Sequence, residues 1–188
     1  HGSALTGTPR YSAGFPHFKY VDPKAPKGGA VRQAQLGSFD TFNPILPKGE
    51  VAPGLSDTFE TLTVAALDEL DISSTYGLLA EAIKYPADFS SVSFRLNASA
   101  KWHDGVPVTT DDVIWSFDKQ IEHSPQAKYY YQNVVRAEKS GDREVTFTFD
   151  VKGNRELPHI MGQLIVLPKH WWEGKSAIGK QRSIGDTT

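Results

Sequence analysis

The clearest pattern of apolar and polar positions is the alternation in the segment SVSFRLNAS. Val92, Phe94 and Leu96 fall on one face of an extended chain and polar residues fall on the other, which predicts a half-buried β-strand. A similar alternation in VRAEKSGDREVTFTFD is interrupted by Gly141-Asp142, and it predicts a β-hairpin that turns at those two residues. Both segments therefore predict strands with one buried face.

A turn and a helix are predicted from KWHDGVPVTTDDVIWSF, which follows the first of these strands. Gly105 can take a positive φ without steric penalty, so it suits a turn at His103-Asp104-Gly105. Thr109 and Asp112 have the spacing of a capping box, in which each side chain satisfies a backbone amide of the other residue. The apolar residues that follow form a helical stripe, consisting of Val113, Ile114, Phe117 and Ile121.

His103 and Asp104 have two interpretations, as parts of this turn or as members of a metal or catalytic site. The acids of the segment already have structural roles in the turn and the helix cap. The six histidines of the chain lie far apart without metal-ligand spacing, and each is expected at the surface or in an aromatic cluster. Since nucleophile-elbow, P-loop and zinc-protease motifs are also missing, we predict no catalytic residue, no metal site and no cofactor.

The remaining segments have weaker patterns. AVRQAQLGS is interpreted as a first strand with Val31 and Leu36 as its apolar members. The apolar spacing between Leu55 and Leu70 predicts a helix, whereas TYGLLAEAIKYP fits either a short helix or a strand. HSPQAKYYYQNVV is predicted to be a loop, and ELPHIMGQLIVLP a short helix followed by a buried strand that Pro168 closes.

Composition and charge limit the possible functions. Of the 188 residues 39% are hydrophobic and none is cysteine, which is typical of a folded globular protein without disulfides or thiol chemistry. A formal net charge of -2 offers no positive field to nucleic acid or anionic lipid. No apolar run has the length of a membrane span. The opening HGSALTGTPRYSAGFPHF is expected to be a processed start or a cloned boundary. The acids at 68, 69 and 71 are expected to form a solvated face.

Two long loops, around residues 38–50 and 124–133, combine aromatic and polar residues. Ligand contacts concentrate in loops of this kind when strands carry them. The tyrosines at 129, 130 and 131 could instead pack their loop onto the core. Three consecutive residues cannot all point inward, so at least one of them should be available to a surface or a partner.

Several long motifs occur in a fixed order along the chain. The pattern W-x-D-G-x-P-x-T-x-x-D-V-x-x-S-F spans Trp102 to Phe117, with GSFDTFNPI before it and LPHIMGQLIVLPKHWWEGK after it. This order resembles the N-terminal part of the family 5 extracytoplasmic solute-binding proteins, the oligopeptide- and dipeptide-binding group of ABC importers. The opening segment resembles that of the YejA-like branch, and the resemblance covers essentially the whole chain.

The resemblance implies an α/β fold of the periplasmic-binding-protein-like type II (cluster C) kind. Residues 1–44 would start lobe I, residues 45–155 would form an additional small α+β subdomain, and residues 156–188 would return to lobe I. The chain would then be an N-terminal portion that stops before lobe II. Ligands of such proteins are held between two lobes that close by a hinge motion.

The resemblance also implies ligand contacts in this first lobe. In the family, one set of contacts follows an Asn/Asp-Pro pair, here Asn43-Pro44, and a tyrosine follows a Ser-Pro pair. Here Gln126 takes the place of that tyrosine, so the aromatic contact is expected from the nearby tyrosines or is lost. The candidate ligand-binding residues are therefore Phe42, Lys48, Gly49, Glu50, Gln126, Tyr129 and Tyr130. Lys48 and Glu50 fit equally well as exposed loop charges.

The function implied is that of a periplasmic receptor, without enzymatic activity, that reaches its location after signal-peptide cleavage. It would bind peptides or peptide-containing molecules such as murein peptides. Its partners would be the ligand, an ABC permease in the inner membrane and the remaining C-terminal part of the same protein, and not nucleic acid. An oligosaccharide, an opine or haem is the alternative ligand within the family. A secreted hydrolase or glycan-binding module is the alternative from another class, although no carboxylate pair free of structural roles is evident.

Overall fold

The computed structural model describes residues 1–176 and 178–185, which form two antiparallel sheets and four α-helices. The strands are β1 Gly2–Ser3, β2 Thr63–Ala65, β3 Thr75–Gly77, β4 Ala80–Lys84, β5 Ser91–Leu96, β6 Val134–Gly141 and β7 Glu144–Phe149. The helices are α1 Thr110–His123, α2 Pro125–Tyr130, α3 Leu157–Gly162 and α4 Lys169–Trp172, with a short 3-10 helix at Leu55–Thr58. None of the described helices has the length and apolar character needed to cross a bilayer.

The larger sheet has the strand order β4-β5-β7-β6 and carries the main core. The predicted alternation in β5 is confirmed, because its three apolar residues are fully buried. Val92 lies opposite Phe147 on β7, and Val113 and Phe117 of α1 belong to the same buried cluster. Leu164, which is also fully buried, joins this cluster from the C-terminal part of the chain. The division into residues 1–44, 45–155 and 156–188 stays a prediction.

The predicted hairpin is β6 and β7, with a small change in its turn. Gly141 pairs with Glu144, so the two turn residues are Asp142 and Arg143 rather than Gly141-Asp142. A register shift between Lys139 and Gly141 moves the end of the ladder by one residue. The two residues form a hairpin loop of the shortest common length. The alternation of apolar and polar residues predicted the hairpin but not which two residues form its turn.

The smaller sheet, β1-β3-β2, ties the N-terminal segment to the rest of the chain. Tyr76 on β3 is fully buried beneath rings of Tyr11, Phe15 and Phe18. The rings of Tyr11 and Tyr76 meet edge to face with centroids 5.5 Å apart. Aromatic pairs in this geometry add to the stability that burial gives, so the Pro- and Gly-rich start of the chain is held by its aromatic residues.

The acids at 68, 69 and 71, which were expected to form a solvated face, instead accept hydrogen bonds from the N-terminal segment. Each of the three carboxylates accepts a hydrogen bond from that segment: Asp68 Oδ2 from Tyr11 Oη (2.5 Å), Glu69 Oε1 from the Arg10 amide (2.9 Å), and Asp71 Oδ2 from Thr6 Oγ1 (2.9 Å). Their donors lie 57 to 65 residues away in sequence, so a local pattern could not reveal them.

The predicted helix between Leu55 and Leu70 is wrong. Only Leu55–Thr58 is helical, as a single 3-10 turn, and Thr63–Ala65 pairs with β3 as strand β2. Leu62 is fully buried while Leu70 is 97% exposed, so the apolar residues share no common helix face. Pairing with β3 outweighs a weak local preference in this Thr-rich stretch.

Two further secondary-structure predictions are wrong, and one open choice is settled. The segment at 30–38 forms no strand, because it finds no partner strand among the described residues and leaves Val31 and Leu36 exposed. The loop predicted at 123–135 contains α2, whose N-cap Ser124 accepts a hydrogen bond from the Ala127 amide (3.2 Å). TYGLLAEAIKYP is extended, as β3 and β4.

His159 is buried, in contrast to the surface or aromatic position expected for the histidines. Its Nε2 lies 3.1 Å from Ser3 Oγ, which is also 2.7 Å from the Tyr85 hydroxyl. The helix α3 that carries His159 is the predicted short helix, which is confirmed. Burial lowers the pKa of His159, so the imidazole is favoured as the neutral form beneath β1.

Candidate functional site

An open cavity of about 550 Å³ lies where three parts of the chain meet. Residues 40–43 form one wall, the signature turn at 102–104 forms a second, and Pro168 with residues 170–172 forms a third, while Thr58 and Phe59 complete the lining. The lining residues are Asp40, Thr41, Phe42, Asn43, Thr58, Phe59, Trp102, His103, Asp104, Pro168, His170, Trp171 and Trp172. The volume falls within the usual range of small-molecule sites, and aromatic side chains dominate the lining.

The first wall is anchored by Asn43. Its Oδ1 accepts the Ile45 amide (3.1 Å), and its Nδ2 donates to the carbonyl of Ile184 (2.7 Å). Asn43 is buried, and an Asn before proline commonly starts such a turn by bonding a backbone amide two residues on. The side chain therefore fixes where the loop begins and joins it to the C-terminal tail.

The loop that follows is closed by its own backbone. The Ala52 amide donates to the carbonyl of Thr41 (3.0 Å), and the Glu50 amide donates to Asp40 Oδ1 (2.7 Å). Gly49 has a φ of 99°, and a Cβ there would lie 2.6 Å from Asp40 Oδ1. Glycine is favoured at position 49 by this backbone conformation, and a side chain there would also displace the Asp40 carboxylate.

Of the four candidate residues in this loop, Phe42 is the one that lines the cavity. Its ring is 66% exposed and meets the Phe39 ring edge to face at 5.2 Å. Lys48, Gly49 and Glu50 are exposed on the loop beyond it, outside the cavity lining. Their role as ligand contacts stays a prediction.

The second wall is the signature turn, whose structural interpretation is confirmed. Gly105 has a φ of 88°, and the Val106 amide donates to Asp104 Oδ1 (3.0 Å). The other carboxylate oxygen lies 2.7 Å from His170 Nε2, across 66 residues of sequence. The hydrogen bonds from His170 and from the Val106 amide hold the pKa of Asp104 below its usual value, so this carboxylate remains an anion at neutral pH.

The third wall is held by polar side chains of α1. Asp112, Ser116 and Gln120 are spaced by four residues and are buried on one face of the helix. Asp112 Oδ1 accepts the amide of Lys169, the first residue of α4 (2.9 Å). The other two bond to the extended segment before α4: Ser116 Oγ accepts the Leu167 amide (2.8 Å), and Gln120 Nε2 donates to the Ile165 carbonyl (2.8 Å).

The segment at 164–167 is predicted to be a buried strand, and these bonds from α1 explain how it is buried without a full sheet ladder. The segment is buried, but its sheet pairing is a single bridge between Thr61 and Ile165. The Val166 amide donates to the Glu60 carbonyl on that side (3.0 Å), while the helix side chains satisfy the other side. Buried backbone groups need such partners, and here a helix supplies them in place of a second strand.

A second concavity, of about 630 Å³, contains the other three candidate residues. Gln126, Tyr129 and Tyr130 lie together on α2, and they share no lining residue with the cavity at Phe42. Tyr129 is 74% exposed, and the Tyr130 hydroxyl donates to Gln163 Oε1 (3.0 Å). Tyr131 is buried, and burial raises its pKa. Because Tyr129 is exposed, the expectation that at least one of the three tyrosines faces outward is confirmed.

Sequence reasoning missed most of the third wall. His170, Trp171 and Trp172 all line the cavity, and the adjacent indoles after Pro168 were the available signal. Among the described residues, no group of three or more histidine, aspartate or glutamate side chains is placed to hold a metal ion. The chemistry of the cavity is therefore that of aromatic rings beside carboxylates and imidazoles.

Residues 74–184, more than half of the chain, match the family model of the bacterial extracellular solute-binding proteins, family 5 middle region. The chain is 55% identical over 188 residues to the protein y4wM of Sinorhizobium fredii and 52% identical over 187 residues to the probable peptide-binding protein YejA of Agrobacterium fabrum. In both comparisons all of the chain is covered, but only 28% and 30% of the relative. It is 41% identical to the peptidoglycan-binding protein YepA of A. fabrum, over 90% of the chain and 29% of the relative.

Solved structures show the same fold. NikZ of Campylobacter jejuni superposes with a TM-score of 0.60 at 19% identity, over 80% of this chain and 28% of that one. The periplasmic oligopeptide-binding protein of Thermotoga maritima gives 0.57 at 25% identity, over 73% and 25% of the two chains. MoaA of A. tumefaciens R10, in complex with mannopinic acid, gives 0.53 at 25%, over 63% and 25%. The predicted periplasmic-binding-protein fold is confirmed, and the chain belongs to the bacterial extracellular solute-binding proteins of family 5.

Proposed function

We propose that this chain forms one wall of a receptor that binds peptides, or peptide-containing molecules such as murein peptides, outside the cytoplasm. The receptor holds its solute between two lobes and delivers it to an ABC permease in the inner membrane. It acts in the periplasm and leaves the solute chemically unchanged.

The observation that carries the proposal is the similarity to proteins described as peptide binders. The YejA relative, at 52% identity, is described as a probable peptide-binding protein, and the YepA relative, at 41%, as a peptidoglycan-binding protein. The chain spans less than a third of the length of these relatives. A complete binding site would therefore include residues outside this chain.

The geometry supports a site that opens outward. Phe42 presents an exposed ring to the cavity, directly before the loop that carries Lys48 and Glu50. Extended peptides are commonly bound through their main chain, while pockets accommodate their side chains. An open cavity with an aromatic rim fits one such pocket, and the charged loop fits contacts to the ends or main chain of a peptide.

The test is recovery of solute from the full-length protein. The protein is incubated with a mixture of short peptides, separated from free peptide by gel filtration, and the bound fraction is identified by mass spectrometry after denaturation. We expect intact peptides, in amounts reduced by Phe42→Ala and unchanged by Val135→Ala, which shortens an exposed apolar residue on β6. Hydrolysed peptides, or no peptides at all, would contradict the proposal.

An opine is the second candidate solute. MoaA, which was crystallised with mannopinic acid, shares 25% identity with 63% of this chain. The same mass spectrometric analysis, performed on protein incubated with opines, would then recover a sugar-derived acid and no peptide.

A further inference from the structure

The cavity beside Phe42 combines indole rings with carboxylates. Three of the four tryptophans in the chain, Trp102, Trp171 and Trp172, contribute to its lining. Two acids, Asp40 and Asp104, also line it, and no lysine or arginine of the described residues does so. The two carboxylates therefore place negative charge beside an aromatic surface.

The carboxylate of Asp104 is well suited to hold this charge. Its pKa is lowered by the hydrogen bond from His170 and by the Val106 amide, so it stays ionised at neutral pH. The side chain of Asp104 is half exposed, which leaves it open to a further donor.

One indole of this wall already binds a cation within the chain. The guanidinium of Arg182 lies over the Trp171 ring, 4.3 Å from its centroid, and its Nη1 donates to the Trp171 carbonyl (3.0 Å). Arg182 lies outside the cavity lining, so it does not fill the cavity. The contact illustrates that the aromatic surface here attracts positive charge, as indole faces do in general.

We propose that this cavity is a side-chain subsite that selects a basic residue, lysine or arginine, of a bound peptide. This inference rests on the proposed function and specifies the class of peptide. The aliphatic stem of such a residue would pack against the indoles, and its charged end would meet the Asp104 carboxylate. A volume of about 550 Å³ accommodates a long side chain together with part of its main chain.

Binding of matched tripeptides to the full-length protein tests the proposal. Ala-Lys-Ala and Ala-norleucine-Ala have side chains of similar length and differ in the charged group, and the variable residue is moved through all three positions. Isothermal titration calorimetry gives each affinity. We expect at least one lysine peptide to bind about tenfold more tightly than its norleucine partner.

The variant Asp104→Asn connects the preference to the cavity. The amide keeps an oxygen for the Val106 amide, so the turn is retained while the charge is removed. We expect the lysine preference to fall at least fivefold and norleucine affinity to change less than twofold. Asp111→Asn, which removes an exposed charge from the first turn of α1 outside the cavity, should leave both affinities unchanged.

The results distinguish this inference from the proposed function. If lysine and norleucine peptides bind equally at every position, or if norleucine peptides bind more tightly, the subsite is not selective for basic residues and the inference fails while peptide binding stands. If other parts of the full-length protein fill the cavity, Asp104→Asn leaves the lysine preference intact, which also overturns it. If no peptide of any kind binds, the proposed function itself is wrong. The comparison in the wild-type protein does not depend on the folding of any variant.

Discussion

Replacing Asp112 by alanine tests how the signature helix holds the third wall of the cavity. Asp112 Oδ2 accepts hydrogen bonds from the amide and the hydroxyl of Thr109, each at 2.8 Å, as part of the capping box. Its Oδ1 accepts the Lys169 amide at 2.9 Å, and the residues on either side of Lys169 line the cavity. One buried side chain thus both starts α1 and anchors the start of α4.

The expected loss of stability follows from these bonds. Losing the helix cap costs about 1 kcal/mol. Losing a charged acceptor for the Lys169 amide costs about 1.5–3 kcal/mol, because the amide is left in a partly buried position without a partner. We therefore expect Asp112→Ala to lower the free energy of unfolding by about 3 kcal/mol. Thr109→Ala removes the cap alone, so about 1 kcal/mol is expected.

Urea denaturation followed by circular dichroism and tryptophan fluorescence measures both variants. Asp111→Ala is the matched control, because it removes an exposed acid from the same helical turn and should cost about 0.5 kcal/mol. The order Asp112, then Thr109, then Asp111 is the predicted ranking, with unchanged m-values. A loss for Asp112→Ala within experimental error of that for Asp111→Ala would refute this account of the motif.

Other predictions concern the turn, the helix stripe and the buried histidine. Gly105→Val should lower the free energy of unfolding by about 1–3 kcal/mol because a valine is strained at a φ of 88°, whereas His103→Ala should change it by less than about 0.5 kcal/mol; equal effects in urea titrations would argue against the turn. Ser116→Ala should cost about 1–3 kcal/mol by leaving the buried Leu167 amide without its acceptor, and urea midpoints that match the wild type would contradict this. Since burial lowers the pKa of His159, the unfolded chain binds a proton that the folded chain does not as the pH falls below about 6.5, and stability should decrease from there downward. His159→Gln should flatten that dependence in urea titrations across pH 5 to 7.5, and an unchanged slope would count against it.

The parts of the fold that could be predicted are those encoded over short distances. The capping box between Thr109 and Asp112 involves residues three apart, and the alternation in β5 places its apolar residues in the core whichever strand lies beside it. α2 was missed although its signal is local. Ser124 followed by Pro125 is a favourable start of a helix, but three tyrosines after it were interpreted as a loop.

The parts that could not be predicted depend on distant partners. The acids at 68, 69 and 71 accept hydrogen bonds from the N-terminal segment, which lies 57 to 65 residues away in sequence. The segment at 30–38 was interpreted as a strand, yet a strand requires a neighbour, and none of the described strands pairs with it.

The candidate site was predicted in part for the same reason. Phe42 lies on the cavity, and Gln126, Tyr129 and Tyr130 lie together on a second concavity. The pairing of Asp104 with His170 depends on the packing of α4 against α1, which sequence spacing does not encode. The four-residue spacing of Asp112, Ser116 and Gln120 was visible, but the backbone groups that they bind lie 45 to 57 residues further on.

Hydrogen–deuterium exchange of the full-length protein, with and without a saturating peptide, tests most directly whether this chain forms a wall of the binding site. The account predicts slower exchange on binding at residues 40–52 and 101–106. It predicts unchanged exchange in the β6–β7 hairpin, which contributes no residue to the lining of either concavity. Unchanged exchange throughout residues 1–185 while the peptide is bound would contradict it.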